Sequence, residues 1–361
     1  MFQPEAKINT INLLYNLNYI KRIVGKASIM PVVKANAYGH GLVKVCKFLS
    51  KHEIEGFCVA LLSEAKVLIK NKINLKILHL GCFEYSFDPI MLNKNLRLTI
   101  NCKEDILFLE KYGKKNDHIF NVHLKIETGM LRLGVESKDI KEIVNILLEC
   151  KNINIEGVYS HLSSANETNQ DYTNMQRNKF ISLSKIIMES FKTIKYQHLA
   201  NSSALLKNKK NHFNLVRPGL TIYGIDPTED SHNLKPALIL EAQVCLIKNV
   251  SKGDYIGYNR TYLSKNNFKA AIIQIGYADG IPISLSNNYF VDYNGEKLSI
   301  IGKVSMDLIC IDIGKSKIKK GSKVIIFGSK NTRIDKLPEN IMESPYTILT
   351  SISERVIRIY K

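Results

Sequence analysis

Apolar positions recur along the first two thirds of the chain in a rhythm that keeps switching between helix and strand. After the cap signal Asn9-Thr10, Leu13, Leu17, Ile20 and Val24 fall at helical spacing and Gly25 follows, which predicts a helix over residues 10–24. Short β-prone runs then recur near residues 29–33, 57–60, 76–79, 97–100, 120–126, 154–159, 196–199 and 215–217. Most are followed by a helical pattern, as at Leu42 to Leu49, Ser63 to Ile69 and Glu104 to Tyr112, where Gly113 predicts the stop. Eight strand candidates alternating with helices predict an α/β fold, a (β/α)8 TIM-type barrel whose active groups gather at the carboxyl ends of its strands. The alternation ends at the polar connector Asp226-Pro227-Thr228-Glu229-Asp230-Ser231, which sets a boundary near 235. Beyond it the runs are β-like, and Asn294-Gly295 between Tyr289–Tyr293 and Glu296–Ile301 predicts a two-residue hairpin turn. The expected layout is a barrel over residues 1–235 and a smaller all-β domain over residues 236–361.

A chain of 361 residues is long enough for one domain of ~250 residues and another of ~100, each with a core of its own. No apolar run approaches the ~18 residues of a membrane span, and Met1-Phe2-Gln3-Pro4-Glu5-Ala6-Lys7 lacks the layout of a secretory signal, so a cytoplasmic protein is expected. The seven cysteines are scattered without paired spacing and read as small core residues, while the nine histidines show no metal-ligand spacing. The net charge of +18 raises the question of nucleic acid. Its lysines are dispersed among asparagines and isoleucines, with only short pairs such as Lys209-Lys210 and Lys319-Lys320 and no aromatic-interleaved basic stripe, so no nucleic-acid partner is predicted.

Within this frame a few polar residues stand where a barrel would expose them. Lys34 directly follows the apolar run Ile29 to Val33, and Tyr38, Gly39 and Gly41 after it supply a hydroxyl and flexible backbone N–H groups suited to phosphate. Taken alone, Lys34 would read as a solvated strand cap. Lys125, Arg132 and two glycines, Gly129 and Gly134, lie where the fifth strand hands over to its loop. His161 ends an alternating strand, and Ser202 opens a helix, either as a simple N-cap or facing a dianion.

These blocks carry a resemblance. Lys34-Ala35-Asn36-Ala37-Tyr38-Gly39-His40-Gly41 resembles the cofactor-lysine segment of the alanine racemases, which use pyridoxal 5′-phosphate (PLP), and further blocks match in order over nearly the whole chain. The resemblance implies that Lys34 carries PLP. The segment from Lys125 to Gly134 resembles K-x-D-T-G-M-x-R-x-G, in which the arginine reaches the substrate carboxylate; that role passes to Arg132, and Lys125 is the candidate for the carbamylated lysine of some members. Glu127 stands where aspartate is commoner. His161 inherits contact with the arginine that faces the pyridine nitrogen, which is Arg217 in the block Arg217-Pro218-Gly219-Leu220. Asn201, Ser202, Gly219, Leu220 and, with Tyr38, Tyr346 nine residues before Arg355 are the implied cofactor-binding residues. Tyr258 matches the second catalytic base, and Met306 in Ser305-Met306-Asp307 matches the substrate pocket. Two positions depart from the pattern: Ile283 and Asn166 replace an arginine and an aspartate common in the access corridor, which predicts that they face each other there and leave Lys303 as its cation.

The resemblance therefore implies a cytoplasmic homodimer with shared sites that interconverts L- and D-alanine, supplying D-alanine for peptidoglycan. Racemisation requires reprotonation from the opposite face, hence two groups, Lys34 and Tyr258. The alternatives are a PLP racemase of a larger amino acid, serine or lysine, and a non-catalytic PLP carrier, although such carriers resemble the barrel alone.

Overall fold

A computed structural model describes residues 3–228, 230, 232–338 and 341–361 of the chain. Glu229 and Ser231 of the expected connector, and Met1 and Phe2, lie outside the described residues. Eight parallel strands form the barrel: Ser28–Ile29, Gly56–Val59, Lys76–His79, Leu96–Ile100, Phe120–Lys125, Ile153–Tyr159, Tyr196–His198 and Leu215–Val216. The ring closes where Val32 bridges Cys58, with Val33 N–H donating to Cys58 O at 2.9 Å. Buried alternating residues such as Leu98, Ile100, Val122, Leu124 and Val158 explain why these runs become strands covered on both faces. Helices Thr10–Val24, Leu42–Leu49, Leu62–Lys70, Lys103–Asn116, Ile140–Glu149 and Asp171–Ser190 pack outside. The first opens on the predicted cap, Asn9, whose side chain accepts from Asn12 N–H at 2.9 Å.

Two expectations needed correction here. Gly113 does not stop its helix, which continues to Asn116; a Cβ at Gly113 would lie 2.5 Å from Asn152 Cβ and 2.8 Å from His118 O, so the glycine admits a neighbouring chain instead of ending a turn. The cysteines are not uniformly core residues: Cys46 and Cys58 are buried, whereas Cys82 is exposed.

The second unit is an eight-stranded, mostly antiparallel sheet built around the long strand Leu238–Val250. The predicted hairpin forms between Phe290–Tyr293 and Glu296–Ile301. The sheet also contains Glu5–Ile8, which pairs antiparallel with Leu238–Val250 and parallel with Ile357–Tyr360. The amino-terminal segment thus belongs to the sheet of the second unit and not to the barrel. Ala6 and Ile8 face inward on it, and they join one apolar core that runs through both units. Among the described residues no helix is long and apolar enough to cross a membrane.

Candidate active site

The strand expected over 29–33 is regular only at Ser28–Ile29, because the backbone must turn sharply to present Lys34. Ala35, Asn36, Ala37 and Tyr38 all have positive φ, between 50° and 54°, making a left-handed turn where a right-handed helix or open loop would cost less. Such geometry costs an L-residue about 1–2 kcal/mol. Long-range bonds hold it in place. Glu64 Oε1 accepts from Ala35 N–H at 2.6 Å, Asn36 Oδ1 accepts from Leu42 N–H at 2.8 Å, and buried His40 donates from Nδ1 to Tyr38 O at 2.7 Å. The strand Ile357–Tyr360 adds Arg358 Nε to Gly39 O at 3.0 Å and Tyr360 Oη to His40 O at 2.9 Å. Burial, and next the charge of Arg132, pull the Lys34 amine below its ordinary pKa, against the opposing carboxylate of Glu64.

Tyr38 points back into the barrel mouth, its ring centroid 5.1 Å from that of Tyr223 and 6.0 Å from that of Tyr346. Burial raises its phenol pKa well above the usual tyrosine range. Ser202 opens the helix Ser202–Lys207, capped by Asn201, whose Oδ1 accepts from Ala204 N–H at 3.0 Å. Ser202 Oγ accepts from Gly219 N–H at 2.9 Å and from Thr221 N–H at 3.4 Å. A Cβ on Gly219 would stand 2.9 Å from Tyr38 Oη and 3.8 Å from Ser202 Oγ, so the missing side chain leaves a small polar cradle between two hydroxyls. That cradle fits a phosphate group, with Leu220 buried beside it and Tyr346, from the helix Pro345–Ser351 of the second unit, reaching in next to Tyr38.

Deeper in the mouth lies Arg217, 3% exposed and held by neutral acceptors: His198 Nδ1 at 2.5 Å, Ser160 O at 2.7 Å and Leu199 O at 3.3 Å. Its guanidinium carbon also sits 5.0 Å from the centroid of the Tyr159 ring, as Lys125 Nζ does at 5.6 Å. Among the described residues no carboxylate pairs with Arg217. The imidazole hydrogen-bonded to it is His198; His161 lies in the field of Arg217, its pKa held far down by burial and then by Arg217, Arg132, Lys125 and Lys34. The same crowding lowers Lys125 to about 8, burial first and Arg132 next. Glu127 offsets this group of cations only in part: its charge raises Lys125, but less than burial, Arg132 and Arg217 lower it. Burial pushes its carboxyl up, but backbone N–H groups of Leu131, Gly129, Arg132 and Met130 outweigh that, and the carboxylate fastens the loop that presents Arg132.

Lys34, Tyr38, Asn201, Ser202, Arg217, Gly219, Leu220 and Tyr346 therefore converge within one chain, with Arg132 and the desolvated Lys125 and His161 close enough for their charges to act on one another. Tyr258 and Met306 lie elsewhere. Tyr258 is 68% exposed, on the loop between Tyr255–Ile256 and Tyr262–Leu263, and bounds a separate cavity of about 610 Å³ with Lys303, Ser305 and Leu308. Met306 is exposed, its carbonyl accepting from Ala278 N–H at 3.0 Å. Asn166 and Ile283 are both exposed, one on the loop after Ile153–Tyr159 and the other on a short turn of the second unit. Residues missed by sequence reasoning are Glu64, His40 and Tyr223, which brace the turn, and His198 beneath Arg217. His198 carried a signal as a polar residue at the carboxyl end of a barrel strand, and His40 as a member of the Lys34–Gly41 block.

Comparison with known proteins agrees with this geometry over the full length. Residues 8–227 match the family model "Alanine racemase, N-terminal domain" and residues 237–360 match "Alanine racemase, C-terminal domain". Alanine racemase of Carboxydothermus hydrogenoformans is 34% identical, covering 98% of both chains, and that of Borreliella burgdorferi is 35% identical, covering 98% of this chain and 96% of the relative. Among solved structures, alanine racemase of Clostridium difficile superposes with a TM-score of 0.94 at 32% identity, covering 99% of this chain and 96% of that one. The Bartonella henselae alanine racemase, with covalently bound pyridoxal phosphate, gives 0.90 at 28% identity and 99% coverage of each chain. A mouth with the half-buried amine of Lys34, a phosphate-sized cradle and an arginine without an acidic partner among the described residues is what a PLP-dependent amino-acid racemase needs, and the chain belongs to the alanine racemase family.

Proposed function

We propose that the chain racemises alanine with two proton-transfer groups on opposite faces of the substrate's α-carbon, Lys34 from its own barrel and Tyr258 from a second copy. The observation that carries this reading is the separation of the two groups: Lys34 is fixed inside the barrel mouth, while Tyr258 stands exposed on the second unit beside another cavity. A homodimer with shared sites accounts for that separation.

Lys34 would attach PLP, Tyr38, Ser202, Gly219, Leu220 and Tyr346 with Asn201 would hold its phosphate, and Arg217 with His161 would face its pyridine nitrogen. When bound, the cofactor supplies an electron sink for the pair left behind by the α-proton. Arg217, a permanent cation held by neutral acceptors, would disfavour a proton on that nitrogen and so keep the sink weak, which would favour return of the proton to the α-carbon over transamination. The lowered pKa of Lys34 leaves more of its amine neutral, able to take a proton at Nζ. Arg132 would grip the substrate carboxylate through its planar fork, with Met306 lining the pocket. A Lys125 amine near 8 is partly neutral at physiological pH, the form that carbamylates, and the resulting anion would steady Arg132. Asn166 and Ile283 would give a less polar access corridor, and the location expected is the cytoplasm.

The test is the ellipticity of L-alanine decaying to zero; faster turnover of serine or lysine would replace alanine as the substrate. Neither Lys34→Ala nor Tyr258→Phe should be active alone. Mixed and reassociated at equal amounts, they should recover about one quarter of wild-type activity, because half the dimers then hold one intact site of two. No recovery despite verified mixed dimers would rule out sharing.

A further inference from the structure

Behind Arg217 the interior of the barrel holds a row of polar side chains, His198, His123 and Glu156, that the reaction as proposed does not use. Arg217 N–H meets His198 Nδ1 at 2.5 Å, His198 Nε2 meets His123 Nδ1 at 2.8 Å, and His123 Nε2 lies 4.0 Å from Glu156 Oε2. All four residues are buried, and they come from four neighbouring parts of the barrel wall. We propose that His123 is a positioning residue: through a one-way relay of hydrogen bonds it fixes the tautomer of His198, and thereby the orientation of the Arg217 guanidinium.

Donor chemistry dictates the direction. Arginine can only donate, so His198 Nδ1 must accept. A neutral His198 then carries its single hydrogen on Nε2 and donates it to His123 Nδ1. His123 in turn carries its hydrogen on Nε2, directed toward the Glu156 carboxylate. Neutrality of both rings follows from their surroundings: burial brings His123 down to about 3, and burial followed by the Arg217 charge takes His198 far below its ordinary value. The stack of Tyr159 on His198, with centroids 4.7 Å apart and planes within 5°, prevents the ring from rolling.

The wall is shaped to admit His123. A Cβ at Gly157 would lie 2.7 Å from His123 Nδ1 and 2.8 Å from Cε1, so only glycine at that position leaves the ring its place in the row. Glu156, beside it, stays charged at the far end. Burial alone would raise its pKa, but the bond from Arg97 Nε at 2.7 Å and the charge of Lys76 outweigh that. A fixed anion at one end and a fixed cation at the other polarise the two imidazoles in a single sense.

The inference rests on the reading that Arg217 faces the pyridine nitrogen, and the test separates the two. In the wild-type holoenzyme with labelled histidine, two-bond nitrogen–proton couplings should show His198 and His123 neutral and protonated on Nε2. His198 protonated on Nδ1 would overturn the relay without any variant being made. His123→Leu, which removes the acceptor, should lower kcat about tenfold with little change in KM and shift the nitrogen-15 resonance of labelled cofactor. His123→Asn, which returns an acceptor near the Nδ1 position, should restore both, and Gly157→Ala should behave as His123→Leu does. Wild-type kcat and resonance in a folded His123→Leu would overturn the proposal. Arg217→Lys with an unshifted cofactor resonance would instead sink the reading of Arg217, leaving the histidine tautomers as an independent result.

Discussion

The two ends of the barrel are both crowded with charge, and they treat it in opposite ways. At the amino-terminal end, Glu55, Lys76, Arg97, Glu156 and Tyr196 close on one another. Lys76 Nζ bonds Glu55 at 2.6 Å and sits 3.5 Å from Glu156, while Arg97 Nε bonds Glu156 at 2.7 Å. The Tyr196 hydroxyl contacts both Lys76 and Glu55. Burial pushes Glu55 and Glu156 up, yet these partners outweigh it and hold both carboxyls below the ordinary range. At the carboxyl-terminal end, Lys34, Lys125, Arg132 and Arg217 gather with His161, and Glu64 and Glu127 are spent on backbone N–H groups. One end is electrostatically complete. The other is complete only when something anionic, a phosphate or a carboxylate, arrives, so the floor of the barrel serves stability and the mouth serves chemistry.

This contrast can be broken most sharply at Lys34. Lys34→Ala should lower racemisation by ~10³-fold or more while leaving the urea midpoint close to wild type, because a desolvated amine is removed from a mouth that gains no stability from it. Arg97→Met should do the reverse. It removes the main partner of a buried carboxylate, leaving it only Lys76 at 3.5 Å, and should cost about 3 kcal/mol in urea unfolding, with kcat per folded molecule changed far less.

Lys125→Gln sharpens the comparison at lower amplitude. The folded pKa of Lys125, about 8, lies below the unfolded value of ~10.4, so its penalty is full below 8 and fades as pH climbs toward the unfolded value. The apo chain in CO2-free buffer should therefore gain about 1–3 kcal/mol at pH 7 from Lys125→Gln, less at pH 9, and lose activity. Destabilisation by the variant would show that the attraction of Glu127, or a carbamate on Lys125, outweighs the burial cost.

The smallest effect is a pH trend. Because the folded carboxyls of Glu55 and Glu156 titrate below their unfolded range of ~4.3, their contribution is whole above that value and is lost as pH falls beneath it. Urea midpoints should be flat from pH 7 to 5 and decline toward pH 3. In Arg97→Met the Glu156 part of that decline should shrink.

How much of this could be read from the chain follows from the range of the forces involved. The barrel strands were legible because each is a short apolar run buried by its immediate neighbours, and Leu42–Leu49 and the Asn294-Gly295 hairpin are specified locally. The turn from Ala35 to Tyr38 was not. Alanine favours the right-handed helix, and the left-handed choice is imposed by Glu64, Arg358 and Tyr360, distant in sequence. Glu5–Ile8 was missed because four residues give only two inward positions, too few to show a period. The bond from Arg217 to His198 depends on where the arginine side chain turns, which strand patterns do not encode.

The strand Glu5–Ile8 lies between a neighbour made at least 230 residues later, Leu238–Val250, and one made later still, Ile357–Tyr360, and Gln3 Nε2 reaches Arg355 O across 352 residues. A ribosome therefore delivers this strand long before its slot exists. The barrel can mature during translation, but the second sheet stays unlatched until Ile357–Tyr360 leaves the exit tunnel and pins the early strand from its other side. Since that same late strand clamps the turn bearing Lys34, catalytic competence cannot precede it, and a nascent chain stalled before residue 357 should be folded in part and wholly inert.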